Sequence, residues 1–168
     1  DAVKQAAGSQ FEARLHPGQG AEEDLAFNRL FRLKDGTELF GRGAPGQAIA
    51  PAGDIDPEVL VLKVSDNTGR LRALVVNYAL HVDVIGGGGA NFISADWPGE
   101  LAKTIAAVYG DDVVTLFLNG CCGDINHSAH HPTELPRGGP DKALQLGRAL
   151  AGLAMNAAEK AEPMPVRG

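Results

Sequence analysis

The sequence has little with which to staple segments, span a bilayer or bind nucleic acid. Its 2 cysteines are the adjacent pair Cys121-Cys122, which cannot tie distant segments together. A disulfide scaffold is excluded and no redox compartment follows. Two small buried side chains are the simplest reading of the pair. Aromatic residues make up 5% of the chain, and the 15 Lys and Arg are scattered against a net charge of -6. That excludes the basic, aromatic-bearing surface of a nucleic-acid binder. No apolar run approaches the ~20 residues of a membrane-spanning helix. The patterns G-x-S-x-G and Walker A are missing, and the G-x-G-x-x-G match at residues 41–46 falls in a Gly- and Pro-rich connection rather than at a strand-to-helix turn. The common serine hydrolases, P-loop NTPases and Rossmann dehydrogenases therefore lose ground. No initiating Met is present, and residues 1–10 read as the end of a helix. The expectation is a piece of a longer chain, for which a missing leader carries no meaning.

What is present suits one α/β domain. The chain has 168 residues, 44% apolar and 21% charged, enough for a real core. Residues 11–15 alternate apolar and polar, which predicts a short strand ended by Pro17-Gly18, with His16 solvated. Lys34-Asp35-Gly36 between residues 30–33 and 37–40 is a hairpin signal. Residues 41–57 are rich in Gly and Pro and read as a long irregular connection. Residues 59–64 and 71–80 predict a second hairpin, central in the sheet. His81 ends its second arm, followed by the glycine run 86–89, which gives a loop beside it.

A helix follows, with Asp96 a plausible cap, Pro98 in its first turn, and Leu101, Ile105 and Val108 as its inward stripe. The apolar run 113–118 predicts a strand covered on both faces. Strand, helix and strand over residues 71–118 form a βαβ unit with parallel strands. The predicted fold class is α/β: a mixed, mostly buried sheet with a βαβ unit and flanking helices. The last helix, from Asp141 to about Lys160, carries Leu146, Leu150, Leu153 and Ala157 on one stripe and reads as structural.

The βαβ unit is the functional argument. Its two strand ends lie on the same edge of the sheet, where α/β proteins place ligands. His81 stands at one end and Cys122-Gly123-Asp124-Ile125-Asn126-His127 at the other. A neutral imidazole at His81 could bind zinc, although a catalytic zinc needs about three protein ligands. A satisfied structural histidine is the plainer alternative. Asp124 is an acceptor, Asn126 donates and accepts, and backbone N–H groups near Gly123 could hold an oxyanion. An Asx-type turn is the plainer reading of that loop. His127, His130 and His131 match no standard zinc spacing and read as a solvent-facing loop or an adventitious metal site.

The succession NYALHVDV, FISADWPGELAKTI and VVTLFLNGCCGDINH resembles the amino-terminal catalytic domain of neutral ceramidases and their bacterial relatives. FNRLFRLKDG and GDIDPEVLVLKV resemble upstream pieces of the same domain. The resemblance runs from about Ala2 to His127 and implies a zinc-dependent hydrolase. Metal-activated water would attack the amide of an N-acyl sphingoid or related lipid. His81 matches a zinc ligand. Gly123 and Asp124 match the family's Gly-Asp and would line the pocket, with Asp124 orienting neighbours.

Asn126 stands where ceramidases carry a serine, and His127 where they carry proline. Asn126 cannot be a hydroxyl nucleophile but could hydrogen-bond substrate or an oxyanion. The resemblance further implies that the remaining zinc ligands lie outside these residues. It makes the chain an internal portion of a larger single catalytic domain, inactive alone and partnered by the rest of its parent polypeptide. A secreted or periplasmic site is implied by the family. Two rivals stand beside this reading. One is a same-fold hydrolase of a non-lipid amide or ester; the other is a non-catalytic ligand- or partner-binding module with His81 turned into the core.

Overall fold

The computed structural model describes residues 1–41, 43–86, 92–127 and 138–165. In chain order the elements are α1 (Ala2–Gly8), β1 (Ala13–Ala21), β2 (Phe27–Asn28), β3 (Leu30–Leu33), β4 (Glu38–Phe40), β5 (Ala48–Pro51), β6 (Glu58–Asp66) and β7 (Leu71–Tyr78). After these come α2 (Asp96–Tyr109), β8 (Val114–Asn119), β9 (Ile125–Asn126) and α3 (Pro140–Lys160). The main sheet has the order β1-β6-β7-β8. The first three strands are antiparallel and β8 runs parallel to β7. The α/β class, the mixed sheet and the β7-α2-β8 unit are thus as the sequence predicts.

The core sits between one face of that sheet and the pair α2, α3. Alternation in β6 and β7 turns Val59, Val61, Leu74, Val76 and Tyr78 inward. They meet Trp97, Leu101 and Ile105 of α2 and Leu146 and Leu150 of α3. Burial of each such side chain contributes roughly 1.5–3 kcal/mol before conformational entropy is counted. Asp66 shapes the β6–β7 turn by accepting from the backbone N–H groups of Thr68 and Arg70. Those bonds hold its carboxyl below the usual range, with the Thr68 hydroxyl contributing most.

The helices cross closely because α3 offers a glycine at the contact. A Cβ on Gly147 would lie 2.6 Å from Glu100 Cβ and 2.6 Å from the Leu101 nitrogen. Gly147→Ala improves helix propensity by roughly 0.5–1 kcal/mol, but it drives two packed helices apart. A net loss of about 1–3 kcal/mol is expected from urea unfolding; a stabilised variant would show that the helix pair yields freely.

Five expectations are corrected. β1 continues through Pro17-Gly18 to Ala21. It is an edge strand, where the missing donor of Pro17 is tolerated, and Gly18 lies so close to α3 that a Cβ there would meet the Ala157 carbonyl oxygen at 2.7 Å. His16 is not merely solvated, since Nε2 meets the buried Ser65 hydroxyl at 2.9 Å. The stretch 41–57 contains β5, paired with β3. Val108 of α2 is 63% exposed, and Trp97 takes its place in the buried stripe. The largest correction concerns β8: it is an edge strand with Val114, Leu116 and Leu118 half or more exposed, so among the described residues only one of its faces is covered.

Candidate functional site

The carboxyl ends of β7 and β8 meet on one edge, as a parallel pair must. Gly120 makes this possible. Its N–H donates to the Tyr78 carbonyl oxygen, and a Cβ there would stand 3.0 Å from Ala79. The chain leaving β8 turns at residues 122–125, where the Ile125 N–H donates to the Cys122 carbonyl oxygen. It then pairs as β9 with β2, Phe27 opposite Asn126 and Asn28 opposite Ile125. Residues from three distant stretches, 27–29, 81–83 and 122–127, are thereby brought together.

His81 is held from several sides. Its N–H donates to the Ile125 carbonyl oxygen, and its own carbonyl oxygen accepts from Trp97 Nε1 at 3.0 Å. Nδ1 lies 2.6 Å from the Cys122 carbonyl oxygen and Nε2 lies 3.1 Å from Arg29 Nη2. A carbonyl only accepts and a guanidinium only donates. The tautomer is therefore fixed: Nδ1 carries the proton and Nε2 the lone pair.

Arg29 also donates from Nη2 to the Gly123 carbonyl oxygen, and its guanidinium lies over the Phe40 ring, 5.2 Å from the centroid. Its neighbour Asn28 is 3% exposed. The Asn28 amide donates to Asp124 Oδ2 at 2.7 Å, its oxygen accepts from the Leu30 N–H, and the Arg29 N–H donates to the Asp124 carbonyl oxygen. Asp124 thus straps the 122–125 turn to β2 and fixes Arg29 against His81.

A second polar group borders the first. His127 Nε2 lies 3.0 Å from Asp83 Oδ1. Asn126 turns its amide toward Asp83 Oδ2 at 3.5 Å and its oxygen onto the His127 N–H. His127 is 8% exposed, which corrects the expectation of a solvent-facing loop there. His130 and His131 lie outside the described residues, as does the glycine run beyond Gly86. Burial pushes the His127 imidazole below its ordinary value, against the pull of Asp83.

The unfolded chain then takes up this proton at higher pH than the folded one. Below about pH 6.5 the unfolded state gains, and stability falls as acid is added. A thermal midpoint that drops between pH 7.5 and 5.5, and drops less in His127→Asn, is the expected result. An identical drop in both chains would refute the assignment.

His81, Gly123 and Asp124 share one hydrogen-bonded cluster through Arg29 and Asn28, while Asn126 faces Asp83 instead. Asn28, Arg29 and Asp83 join them without a motif of their own. The only trace of the first two is the Asn-Arg pair in FNRLFRLKDG; Asp83 stands two residues past His81. Asp96 is not the helix cap, which is Ala95. It is buried with φ +54°, a conformation an acidic residue tolerates, and its carboxylate accepts from the Ile85 and Trp97 N–H groups. That ties the segment after β7 to α2. Among the described residues no three His, Cys, Asp or Glu side chains converge as a metal cage. His81 fits the part of a single ligand in its Nδ1–H, held by a backbone carbonyl as in metal-bound imidazoles, while its Nε2 lone pair here accepts from Arg29.

Two comparisons fix the fold. Over 95% of its length the chain superposes on neutral ceramidase from Pseudomonas aeruginosa, with a TM-score of 0.62 and 19% identity. Over 94% it superposes on a ceramidase complexed with C2, with a TM-score of 0.63 and 20% identity. It spans 24% and 23% of those two chains. No family model matches the sequence, and no curated protein does. The chain therefore has the fold of about a quarter of a bacterial neutral ceramidase.

Proposed function

We propose that these residues belong to a zinc-dependent amide hydrolase of ceramidase type, and that His81 Nε2 is one of its metal ligands. The reading also makes the chain an internal portion of a larger catalytic domain, with the other ligands supplied by the parent polypeptide. The observation that carries it is the fixed tautomer of His81, at the strand edge of a fold shared with neutral ceramidase. Zinc in such a site polarises a carbonyl and lowers the pKa of its water.

The chain's own residues do the rest. The Cys122 carbonyl oxygen holds the imidazole at Nδ1, and the Ile125 carbonyl oxygen holds the His81 backbone N–H. Arg29 gives up Nε2 when that atom is ligated and keeps its bond to Gly123, so its guanidinium can donate to an amide carbonyl oxygen. Asp124 is a positioning residue for Arg29. Asn126 offers an amide to substrate from the same edge. Phe40, 61% exposed under Arg29, and Val82, 40% exposed beside His81, supply apolar surface for an acyl chain. A lipid amide is therefore the favoured substrate. Asn126, standing where ceramidases carry serine, favours the second reading, hydrolysis of a non-lipid amide or ester.

Zinc and N-acyl sphingoid hydrolysis should be measured on the longer polypeptide, on its His81→Ala variant and on the 168 residues alone. About one zinc per chain is expected in the first. Both metal and activity should fall in the variant, activity by more than the roughly 100-fold a second-shell change causes. The 168 residues alone should be inactive. Zinc-free longer protein, or an unaffected variant, would leave a ligand-binding module as the better account.

A further inference from the structure

The open face of the main sheet is the most extensive feature the site does not use. Strand register lines up three rows across four strands, headed by Leu15, Pro17 and Gln19 of β1. The middle row runs Pro17, Leu62, Val75, Leu116, and no row contains a charged side chain. Leu60, Val114, Leu116 and Leu118 are 40%, 59%, 51% and 50% exposed. A groove of about 740 Å³ runs from Leu62 and Leu118 on this face past Pro17 at the β1 edge to the end of α3, where Lys160 sets a charge on its rim. The opposite face carries both long helices. Strands apolar on both faces belong to sheets covered on both, and an uncharged patch of this extent is often an interaction surface.

Size decides the occupant. Four strands and three rows measure roughly 19 Å by 20 Å, about 400 Å². A stable association of separate molecules buries about 800 Å² on each partner. A second copy of this chain falls short. A layer tethered in the same polypeptide does not need bimolecular affinity, and the two matched structures are about four times as long as this chain.

We infer that this face is the seat of a second, uncharged apolar layer contributed by the same polypeptide outside these 168 residues. The inference rests on the proposal that the chain is part of a larger domain. It also places the added layer at the site, because the outermost row ends at Asn77 and Leu118, next to the turn that presents His81 and Gly120.

The test is cysteine labelling at position 116, read by peptide mass spectrometry so that Cys121 and Cys122 do not interfere. Leu116→Cys in the 168-residue chain should react at the rate of an exposed thiol. In the longer polypeptide it should react at least about 100-fold more slowly. Hydroxyl-radical footprinting of Leu60, Leu116 and Leu118 in the unsubstituted chains reads the same face without a variant that could misfold.

Equal rates in both chains would overturn the inference. So would protection in the 168-residue chain through a dimer seen by light scattering, or a gene encoding these residues alone. Protection without zinc or hydrolysis would count against the proposed function and leave this inference standing. An active, zinc-loaded polypeptide labelled freely at 116 would do the reverse.

Discussion

Replacing Trp97 by alanine is expected to cost about 3–5 kcal/mol, most of the stability of a marginal domain. Trp97 is fully buried at the start of α2. Its ring meets Phe117 of β8 edge-on, with centroids 4.6 Å apart and planes at 72°. Its Nε1–H donates to the His81 carbonyl oxygen. One side chain thus joins the helix, the edge strand and the backbone of the candidate ligand. Truncation opens a cavity and also leaves that carbonyl unpaired.

Trp97→Phe separates the two effects: it keeps most of the volume and should lose only about 1–3 kcal/mol. Urea unfolding followed by far-UV circular dichroism measures both variants. Fluorescence cannot, because Trp97 is the chain's 1 tryptophan. An alanine variant within about 1 kcal/mol of the parent would show that the end of β7 is not anchored this way.

Asn28→Asp is expected to lower stability by roughly 2–4 kcal/mol at pH 7, with a pH dependence of definite sign. The new carboxylate oxygen would face Asp124 Oδ2 at the present 2.7 Å separation, while the acceptor for Leu30 N–H remains. Two charges 4 Å apart in a half-buried setting already repel by about 4 kcal/mol. One carboxyl therefore stays protonated in the folded chain. Its folded pKa lies above the unfolded value, so the variant regains stability as pH falls toward about 4.

Asn28→Ala loses the hydrogen bonds without adding charge; its deficit of about 2 kcal/mol should not move with pH over that window. Comparing the two by denaturant titration at pH 7 and 4.5 decides the matter, and a pH-independent Asn28→Asp would mean that the strap is not formed. In both variants Arg29 loses the support that Asp124 gives it against His81. Any activity of the longer polypeptide should fall with the strap.

Much of the fold could be read locally. The Asp35-Gly36 turn, the β6–β7 hairpin and the stripe of α3 each arise from neighbours within a few residues, where period and turn chemistry act. The βαβ handedness and strand direction then bring His81 and the 119–127 turn to one edge. The misses have one cause. Val108, β5, the buried His127 and the open face of β8 depend on what lies across from them, and a single stretch does not encode its opposite number. Apolar residues 113–118 correctly signal a strand but not its surroundings: the expected cover on both faces is wrong among the described residues, and only the assembled sheet shows it.

The sequence by itself determined the element types, the parallel unit and the place of His81 at the carboxyl edge of that unit, because periodicity, glycine placement and the chirality of crossovers are local or nearly so. Tertiary structure alone decided the chemistry around that residue. Arg29 reaches Nε2, Cys122 takes the Nδ1 proton, Asn28 straps Asp124, and Asp83 meets His127 only because β2 pairs with β9 and Gly120 closes on Ala79. Those contacts join residues separated by some 40 to 100 positions. Their geometry is set by packing, which no spacing along the chain records.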